Sequence, residues 1–504
     1  MPDNNKLSVR IKMYRQGLGD CFLLTFTRGQ EVFNLMIDCG LFFLTKNSAD
    51  IMTRVARSIQ ETTGNRLDAV ALTHDHYDHT SGFTLAKDVF NDDSFKFNEV
   101  WVGWTEDESH EKYNLIREHF RKILKGLRLA LNDELKKTDE SVRNTVNSLV
   151  NDFFGVRLET EELAANGKGF SKTWEYVLKE KAEDVRYFRP GTFFDLKNVG
   201  VRIYVLGPPE DIGLIESEEP PEEETYRPAS RLALASSFLA AATAENSLFN
   251  ANSFIPFDRD YRVEKPDAQI ETFFQNHYGF DDADKDSWRR IDDAWLVTAS
   301  DLALWMDDFT NNTCLALAIE LIESKKVLIF PGDAQFGNWI SWQKLTWEVP
   351  DSNGVKQKVL MADLFANTVF YKVGHHGSHN ATLRKSGLEL MNTLENDLVA
   401  MIPTNREFAS SQGNKEKGGW QMPEHKLLEK LEEKAKGRVI LADEIGTEDD
   451  QKKPLKDRCQ KFNLSNKKLS NFLESVKFSE EKLVRDQANP QNLEPLYVEY
   501  TLDG

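Results

Sequence analysis

Cysteine is scarce: Cys21, Cys39, Cys314 and Cys459 are the only four among 504 residues, far apart and with no CxxC pair. That excludes a disulfide framework and a zinc knuckle, and leaves core thiols in a reducing compartment. Long apolar runs are missing too. No stretch approaches the roughly 20 apolar residues that cross a bilayer, and the opening MPDNNK has no basic region leading into an apolar core. A soluble, cytoplasmic protein with no membrane contact is expected. Positive charge is short, with 63 Lys and Arg against 82 Asp and Glu, a net of −19. The surface as a whole therefore repels polyanions, and only a local basic cleft or bound cations would attract one. Histidine is rare as well, at ten residues, and where those ten fall organises the rest of the chain.

His74, His76 and His79 lie within six positions of one another, together with Asp75 and Asp78, in the stretch DAVALTHDHYDHTSG from Asp68 to Gly82. The apolar run Ala69 to Leu72 is short enough for a buried strand. A tight loop leaving that strand can present several donors to one point. Imidazole suits zinc and iron, carboxylate widens the choice to manganese, and two ligand sets side by side suit a pair of ions.

At 504 residues and 40% hydrophobic content the chain can bury a large core, as one elaborated domain or two. Leu7 to Met13 and Phe22 to Phe26 alternate as half-buried strands do. Between them Gln16-Gly17-Leu18-Gly19-Asp20 reads either as a plain hairpin turn or as a tight turn close to a site. Leu35 to Cys39 is another apolar strand, and Asp38 is placed to orient a metal-bound histidine from behind. Ala49 to Glu61 reads as a helix with Ile51, Val55 and Ile59 on one face. Val100 to Trp104 is a further strand. Glu106 to about Lys181 is charged and helix-periodic, with Leu115, Phe120, Ile123, Leu127 and Leu131 as an apolar stripe, which reads as an inserted cap or partner surface. His110 and His119, isolated within it, are expected to be packed or solvated. His277 is expected to be structural.

Strand signals return at Val199 to Leu206, followed by an acidic, proline-containing loop over 210–226. Asn311-Asn312-Thr313-Cys314 leads into the apolar run Leu315 to Ile319. Lys326 to Phe330 runs into Pro331-Gly332-Asp333, where glycine allows close backbone approach and the aspartate is placed to bridge two cations. Val369 to Val373 is followed by Gly374-His375-His376-Gly377-Ser378-His379. Six of the ten histidines thus sit in two short loops, each after a strand. In an α/β fold such loops meet over one crevice. Leu398 to Ile402 and Arg438 to Leu441 are later strands, with a helix starting at His425 between them, and Leu496 to Leu502 is a closing strand. The expected organisation is a first half-domain over 1–104, a helical insertion over 105–190, a second half over 191–445 with an acidic insertion near 210–295, and a C-terminal extension over 446–504.

HxHxDH after an apolar strand resembles the metallo-β-lactamase superfamily of metal-dependent hydrolases. The resemblance implies an α/β (α+β) fold, the αββα metallo-β-lactamase sandwich, here with an inserted helical subdomain. The combination QGLGD, IDCG, THDHYDH, NNTC, FPGDA and VGHHGSH is similar to the hydrolase domain of ComEC-type competence proteins over about 1–104 and 195–445. By that pattern two divalent metal ions, Zn or Mn, are implied. His74 and His76 would hold the first, Asp78 and His79 the second, with Asp333 bridging. His376 of the pair would complete the second site, leaving His375 near the substrate as proton donor or phosphate contact. Those proteins carry the domain on a membrane channel, and this chain has no membrane segment. Many relatives also supply another histidine before the bridging aspartate, and Val205 to Pro209 offers none.

The implied function is hydrolysis by a metal-activated water, first as a phosphodiesterase or nuclease acting on an anionic phosphodiester substrate, DNA or RNA. Asp78 would orient the nucleophile, His375 would protonate the leaving oxygen, and Lys372, Ser378 and Asn312 are candidates for phosphate contact. The same centre would also hydrolyse a small ester, thioester or lactam. A third reading is a partner-binding module with a structural metal, using the helical insertion for a protein partner or self-association.

Overall fold

The computed structural model describes residues 6–43, 45–118, 172–216, 221, 223–225, 263, 265–278, 306–351, 354–394, 397–412, 419–447, 449–484 and 493–504. The greater part of the expected helical insertion and of the acidic insertion, His119 included, lies outside them.

Apolar strands come first because they are covered on both faces, which is why they read as near-continuous hydrophobic runs. In chain order the strands are β1 (Leu7–Tyr14), β2 (Cys21–Arg28), β3 (Glu31–Cys39), β4 (Arg66–Ala71), β5 (Lys96–Gly103), β6 (Ala182–Phe188), β7 (Phe193–Leu196), β8 (Val201–Val205), β9 (Leu317–Leu321) and β10 (Val327–Phe330). Then come β11 (Thr346–Pro350), β12 (Lys356–Leu360), β13 (Thr368–Lys372), β14 (Val399–Ile402), β15 (Val439–Leu441), β16 (Val476–Phe478), β17 (Lys482–Val484), β18 (Leu493–Pro495) and β19 (Tyr497–Asp503). Among the described residues one sheet runs β16-β19-β1-β2-β3-β4-β5-β6 and a second runs β15-β14-β13-β10-β9-β8-β7. The pairs β11/β12 and β17/β18 are separate hairpins.

The period-2 alternation of each strand sorts its side chains between two cores. Phe22, Leu24 and Phe26 of β2 and Ala69 and Ala71 of β4 meet Ile203, Ile319, Leu328 and Phe330 of the other sheet in a core between the sheets. Phe330 lies edge-on to Phe22, with ring centroids 5.7 Å apart, and stacks on Phe370 at 5.4 Å. The opposite faces are covered by helices. Ile51, Met52, Val55 and Ile59 of the helix Ser48–Thr63 pack on Leu23, Met36 and Val70. Leu427 and Leu431 of the helix His425–Lys434 pack among Ala400, Ile402 and Val439. Helix, sheet, sheet and helix make the expected αββα sandwich. The first helix ends where Gly64, at φ 61°, returns its N–H to the Gln60 carbonyl, a left-handed cap that glycine adopts without Cβ strain.

Two features depart from the sequence reading. Ala182–Phe188, within the stretch expected to be a helical insertion, is a strand that pairs in parallel with β5. As the edge of the sheet it keeps charged residues, and Arg186 pairs with Glu99 at 3.0 Å and lies over the Phe188 and Phe194 rings, so its alternation is masked. Leu115, expected on the buried stripe, is exposed, and Ile116 packs against Trp104 instead.

The position of the site follows from strand direction. β3 runs parallel to β4 and β10 parallel to β13, so within each sheet the following loops leave from one end, and the two ends meet where His376 after β13 faces Asp78 after β4.

Candidate metal centre

β4 ends at Ala71, and its chain continues through Leu72 and Thr73 into His74. A short turn of helix, Tyr77–Thr80, then carries Asp78 and His79. The turn is held from below by close backbone packing. The Asp20 N–H donates to the Asp78 carbonyl at 3.0 Å. A Cβ added to Gly40 would lie 2.3 Å from the Asp78 carbonyl carbon, and one added to Gly19, at φ +138°, would lie 2.7 Å from the Asp78 carbonyl oxygen. The QGLGD loop is therefore a floor beneath the ligand loop, and its glycine is required by close approach.

β10 delivers Asp333 after Gly332, and β13 delivers His375 and His376 after Gly374. Both histidines hold left-handed backbone, φ 45° and 52°, a conformation that costs energy for non-glycine residues and gathers at functional sites. One anchor is the His375 N–H, which donates to Asp333 Oδ1 at 2.9 Å.

The centre these loops build is buried, and His74, His79 and His376 each turn one nitrogen inward and one outward. His79 Nδ1 meets Asp38 Oδ2 at 2.8 Å, and its Nε2 faces Asp333 Oδ2 at 3.1 Å and Asp78 Oδ2 at 3.8 Å. His376 Nδ1 meets the Pro403 carbonyl at 2.7 Å, and its Nε2 faces Asp78 Oδ2 at 2.9 Å. His74 Nδ1 meets Thr73 Oγ1 at 3.0 Å, and its Nε2 lies 2.8 Å from His76 Nδ1. An outer hydrogen bond that fixes the ring and its tautomer is the usual arrangement behind a metal-bound histidine. Asp38 serves two of these outer contacts, since it also accepts from the Thr73 N–H at 2.8 Å and the Thr73 hydroxyl at 2.7 Å.

Asp78, His79, Asp333 and His376 each offer a donor atom within 4.8 Å of the others. Asp78 Oδ1, His79 Nε2 and His375 Nδ1 are buried without a hydrogen-bond partner, and a buried polar atom left so costs roughly 1–3 kcal/mol. Inward-facing imidazole and carboxylate atoms of this kind fit a divalent cation. Asp333 turns a single oxygen inward, because Oδ1 is occupied by the His375 N–H and by Lys372 Nζ at 3.2 Å.

The electrostatics agree with that division. Burial lowers the His74 ring well below the usual imidazole range and lowers His76 to about 3, so both are neutral donors. For His79 burial works downward but is outweighed by the Asp333, Asp78, Asp20 and Asp38 carboxylates, which raise it. His376 is raised against burial by its hydrogen bond to Asp78 and by Asp333. Asp78 is held down at about 2, burial being outweighed by His79 and His376.

The remaining expected residues fall into different surroundings. Lys372 is buried with its ammonium on Asp20, on Asp333 and, at 3.0 Å, on the Gly332 carbonyl, behind the carboxylate that it orients. Asn312 is buried and donates to the Ile215 carbonyl at 3.2 Å, while its own carbonyl accepts from Asn338 Nδ2 at 2.9 Å, which ties the loop before β9 to the helix Phe336–Trp342. Ser378 is buried, its N–H bonded to the His375 carbonyl at 2.8 Å. His110 lies against Trp104 with the rings tilted and centroids 4.4 Å apart, and His277 stacks on Phe273 at 4.4 Å; neither belongs to the candidate ligand groups.

Two carboxylates carry no role in the sequence reading. Asp20, in the QGLGD loop, lies 3.8 Å from His79 Nδ1 and 3.7 Å from His376 Nδ1 and pairs with Lys372; a glycine-flanked aspartate was its only signal. Asp307 lies 3.6 Å from His76 Nε2; it follows the apolar run Leu302 to Met306 with no histidine or cysteine near it to mark a site.

A mixed α/β sandwich with clustered metal-ligand side chains at one end of its sheets defines the class. Residues 15–162 match the family model described as the metallo-beta-lactamase superfamily. The match supports a domain of that superfamily and, with the ligand cluster, metal-dependent hydrolysis as the coarse class of its chemistry. No curated protein matches the chain. Among the described residues no helix is long and apolar enough to cross a membrane.

Proposed function

We propose that the protein is a metal-dependent phosphodiesterase acting on nucleic acid. The observation that carries this reading is the buried group of Asp78, His79, Asp333 and His376 beside the inward-facing nitrogens of His74 and His76. Two divalent cations, zinc or manganese, held by these residues would acidify a water and neutralise charge on phosphoryl oxygens. His74 and His76 would hold one and Asp78, His79 and His376 the other, with Asp333 as the carboxylate that would be shared. The similarity of QGLGD, THDHYDH, FPGDA and VGHHGSH to the hydrolase domain of ComEC-type competence proteins favours a polynucleotide substrate.

The chain's own residues then divide the work. Asp78 Oδ1, free of other bonds, orients the attacking water. His375 Nδ1, also free, faces the leaving oxygen. Burial lowers that ring to about 4, so it is neutral in the free protein, and an arriving phosphoryl anion raises it toward the range in which it donates a proton. His79 and then Lys372 hold the Asp333 carboxyl down against burial, and Lys372 with the His375 N–H keeps its outer oxygen occupied.

The net charge of −19 favours a second reading, hydrolysis of a small ester, thioester or lactam, because only the cations themselves would draw a polyanion in. The test is purified protein with manganese or zinc against single-stranded DNA, RNA, bis-p-nitrophenyl phosphate and a chromogenic ester. Phosphodiester cleavage lost in His76→Ala and in Asp333→Asn is the expected result. Ester cleavage without phosphodiester cleavage transfers the assignment to the second reading, and tight metal binding without turnover of any substrate overturns both in favour of a partner-binding module.

A further inference from the structure

Of the four rings assigned to the ions, three have an outer partner within hydrogen-bond distance: Thr73 Oγ1 behind His74, Asp38 behind His79 and the Pro403 carbonyl behind His376. His76 is built the other way round. Its Nδ1 is the nitrogen turned toward His74 Nε2, at 2.8 Å, so the nitrogen facing outward is Nε2. Opposite Nε2, at 3.6 Å, lies Asp307 Oδ1. Asp307 is 4% exposed, its Oδ2 accepts from Asn311 Nδ2 at 3.2 Å, and its Oδ1 is buried without a hydrogen-bond partner.

We propose that Asp307 is the positioning residue of His76, accepting its Nε2–H and so committing the ring to bind a divalent cation through Nδ1. The inference rests on the metal-centre reading above. The gap of 3.6 Å is longer than a hydrogen bond, so acceptance of the Nε2–H requires the pair to close when an ion is bound. Direct ligation by Asp307 of the ion held by His74 and His76 does not suit this geometry. The two nitrogens of one imidazole point to different sides of the ring, and Asp307 is on the Nε2 side.

The helical residues 306–311 that carry Asp307 are fixed by an apolar contact away from the ligand atoms and by the loop that carries His375 and His376. Phe309 packs with Trp104, Ile116 and Ile215, and Asp308 accepts from Asn380 Nδ2 at 3.3 Å. Asp307 thus transmits to His76 the packing of three segments outside the two sheets: that following β5, that following β8 and the one preceding β9. It also lies far outside residues 15–162, so the ring of the first motif is oriented by a part of the chain that the family model does not reach.

The test uses the full chain as wild type, Asp307→Ala and Asp307→Asn, loaded with zinc for affinity and with cobalt(II) for spectroscopy. Competition with a chromophoric chelator should give a loss of roughly 10–100-fold in the affinity of one ion per chain in Asp307→Ala, the range typical of removing such an outer partner. Asp307→Asn, which keeps the volume, should lose less in the same direction. Proton spectra of the cobalt protein in H2O should lose one slowly exchanging, hyperfine-shifted ring N–H signal in Asp307→Ala and keep those of His79 and His376. Unchanged affinity and an unchanged set of N–H signals in both variants would overturn the role of Asp307 while leaving the metal centre standing. Wild-type protein that takes up no divalent ion would overturn the metal-centre reading and this inference with it.

Discussion

Asp38→Asn changes one atom and keeps the shape, yet the hydrogen-bond inventory leaves the amide no good orientation. The native carboxylate is acceptor-only and meets three donors: the Thr73 N–H at 2.8 Å on Oδ1, and the Thr73 hydroxyl at 2.7 Å and His79 Nδ1 at 2.8 Å on Oδ2. With the amide oxygen toward His79, the NH2 group opposes the Thr73 N–H, donor against donor. With the amide reversed, the NH2 donates toward His79 Nδ1 and drives the ring proton to Nε2, the nitrogen that faces Asp333 and Asp78. The first arrangement costs roughly 1–3 kcal/mol of stability for the unsatisfied buried N–H; the second blocks a ligand atom. A loss of roughly 10–100-fold in affinity for one divalent ion is expected, about 1.4–2.7 kcal/mol, accompanied by a lower melting temperature in the metal-free protein. Chelator competition and differential scanning calorimetry on wild type and variant measure the two effects. An Asp38→Asn protein that binds zinc within twofold of wild type and melts at the same temperature would refute the reasoning that Asp38 sets the tautomer of His79.

Phe330→Ala removes a ring packed on Phe22 and Phe370 in the core between the sheets and should cost about 3–5 kcal/mol in denaturant unfolding. Because Asp333 follows three residues later, metal affinity should fall with it, whereas Phe330→Leu should lose less of both. Lys12 is buried, donates to Thr62 Oγ1 at 2.9 Å and lies 4.1 Å from the Tyr497 ring centroid, and burial lowers it to about 8 from an ordinary 10.5. The unfolded chain therefore binds more protons between those values, and stability rises with pH across that window. Against Lys12→Met, wild type should gain up to about 3 kcal/mol between pH 8 and pH 10.5; a stability difference that stays flat across the window would show that this group does not titrate as its burial dictates.

What was legible in the sequence follows from which constraints are local. Metal-facing donors need residue types that are otherwise rare here, so His74, His76, His79, His375 and His376 announced themselves, and the apolar runs before them marked the strands that carry them. Asp38 was legible as an outer partner because it closes a buried strand where a charge has no other reason to be. The closing strand was legible as a strand, but its place beside β1 and not at the sheet edge was not, because sheet order is set by packing between distant segments. Lys372 reads in sequence as a cation beside a histidine loop and therefore as a phosphate contact. In the fold the alternation of β13 turns it inward, where Asp20 and Asp333 are both within reach and its charge balances theirs. Asp307 is the extreme case. It sits next to another aspartate at the end of an apolar run, Leu302 to Met306, with no neighbouring ligand, and it acquires meaning only when residues 306–311 are packed against Trp104 and Ile215. The candidate ligands of this centre thus lie in three short loops, after β4, β10 and β13, while the groups that would decide which nitrogen each ring presents are spread along the chain. Substitution of the outer groups, more than of the ligands, should separate how the site is held from what it does.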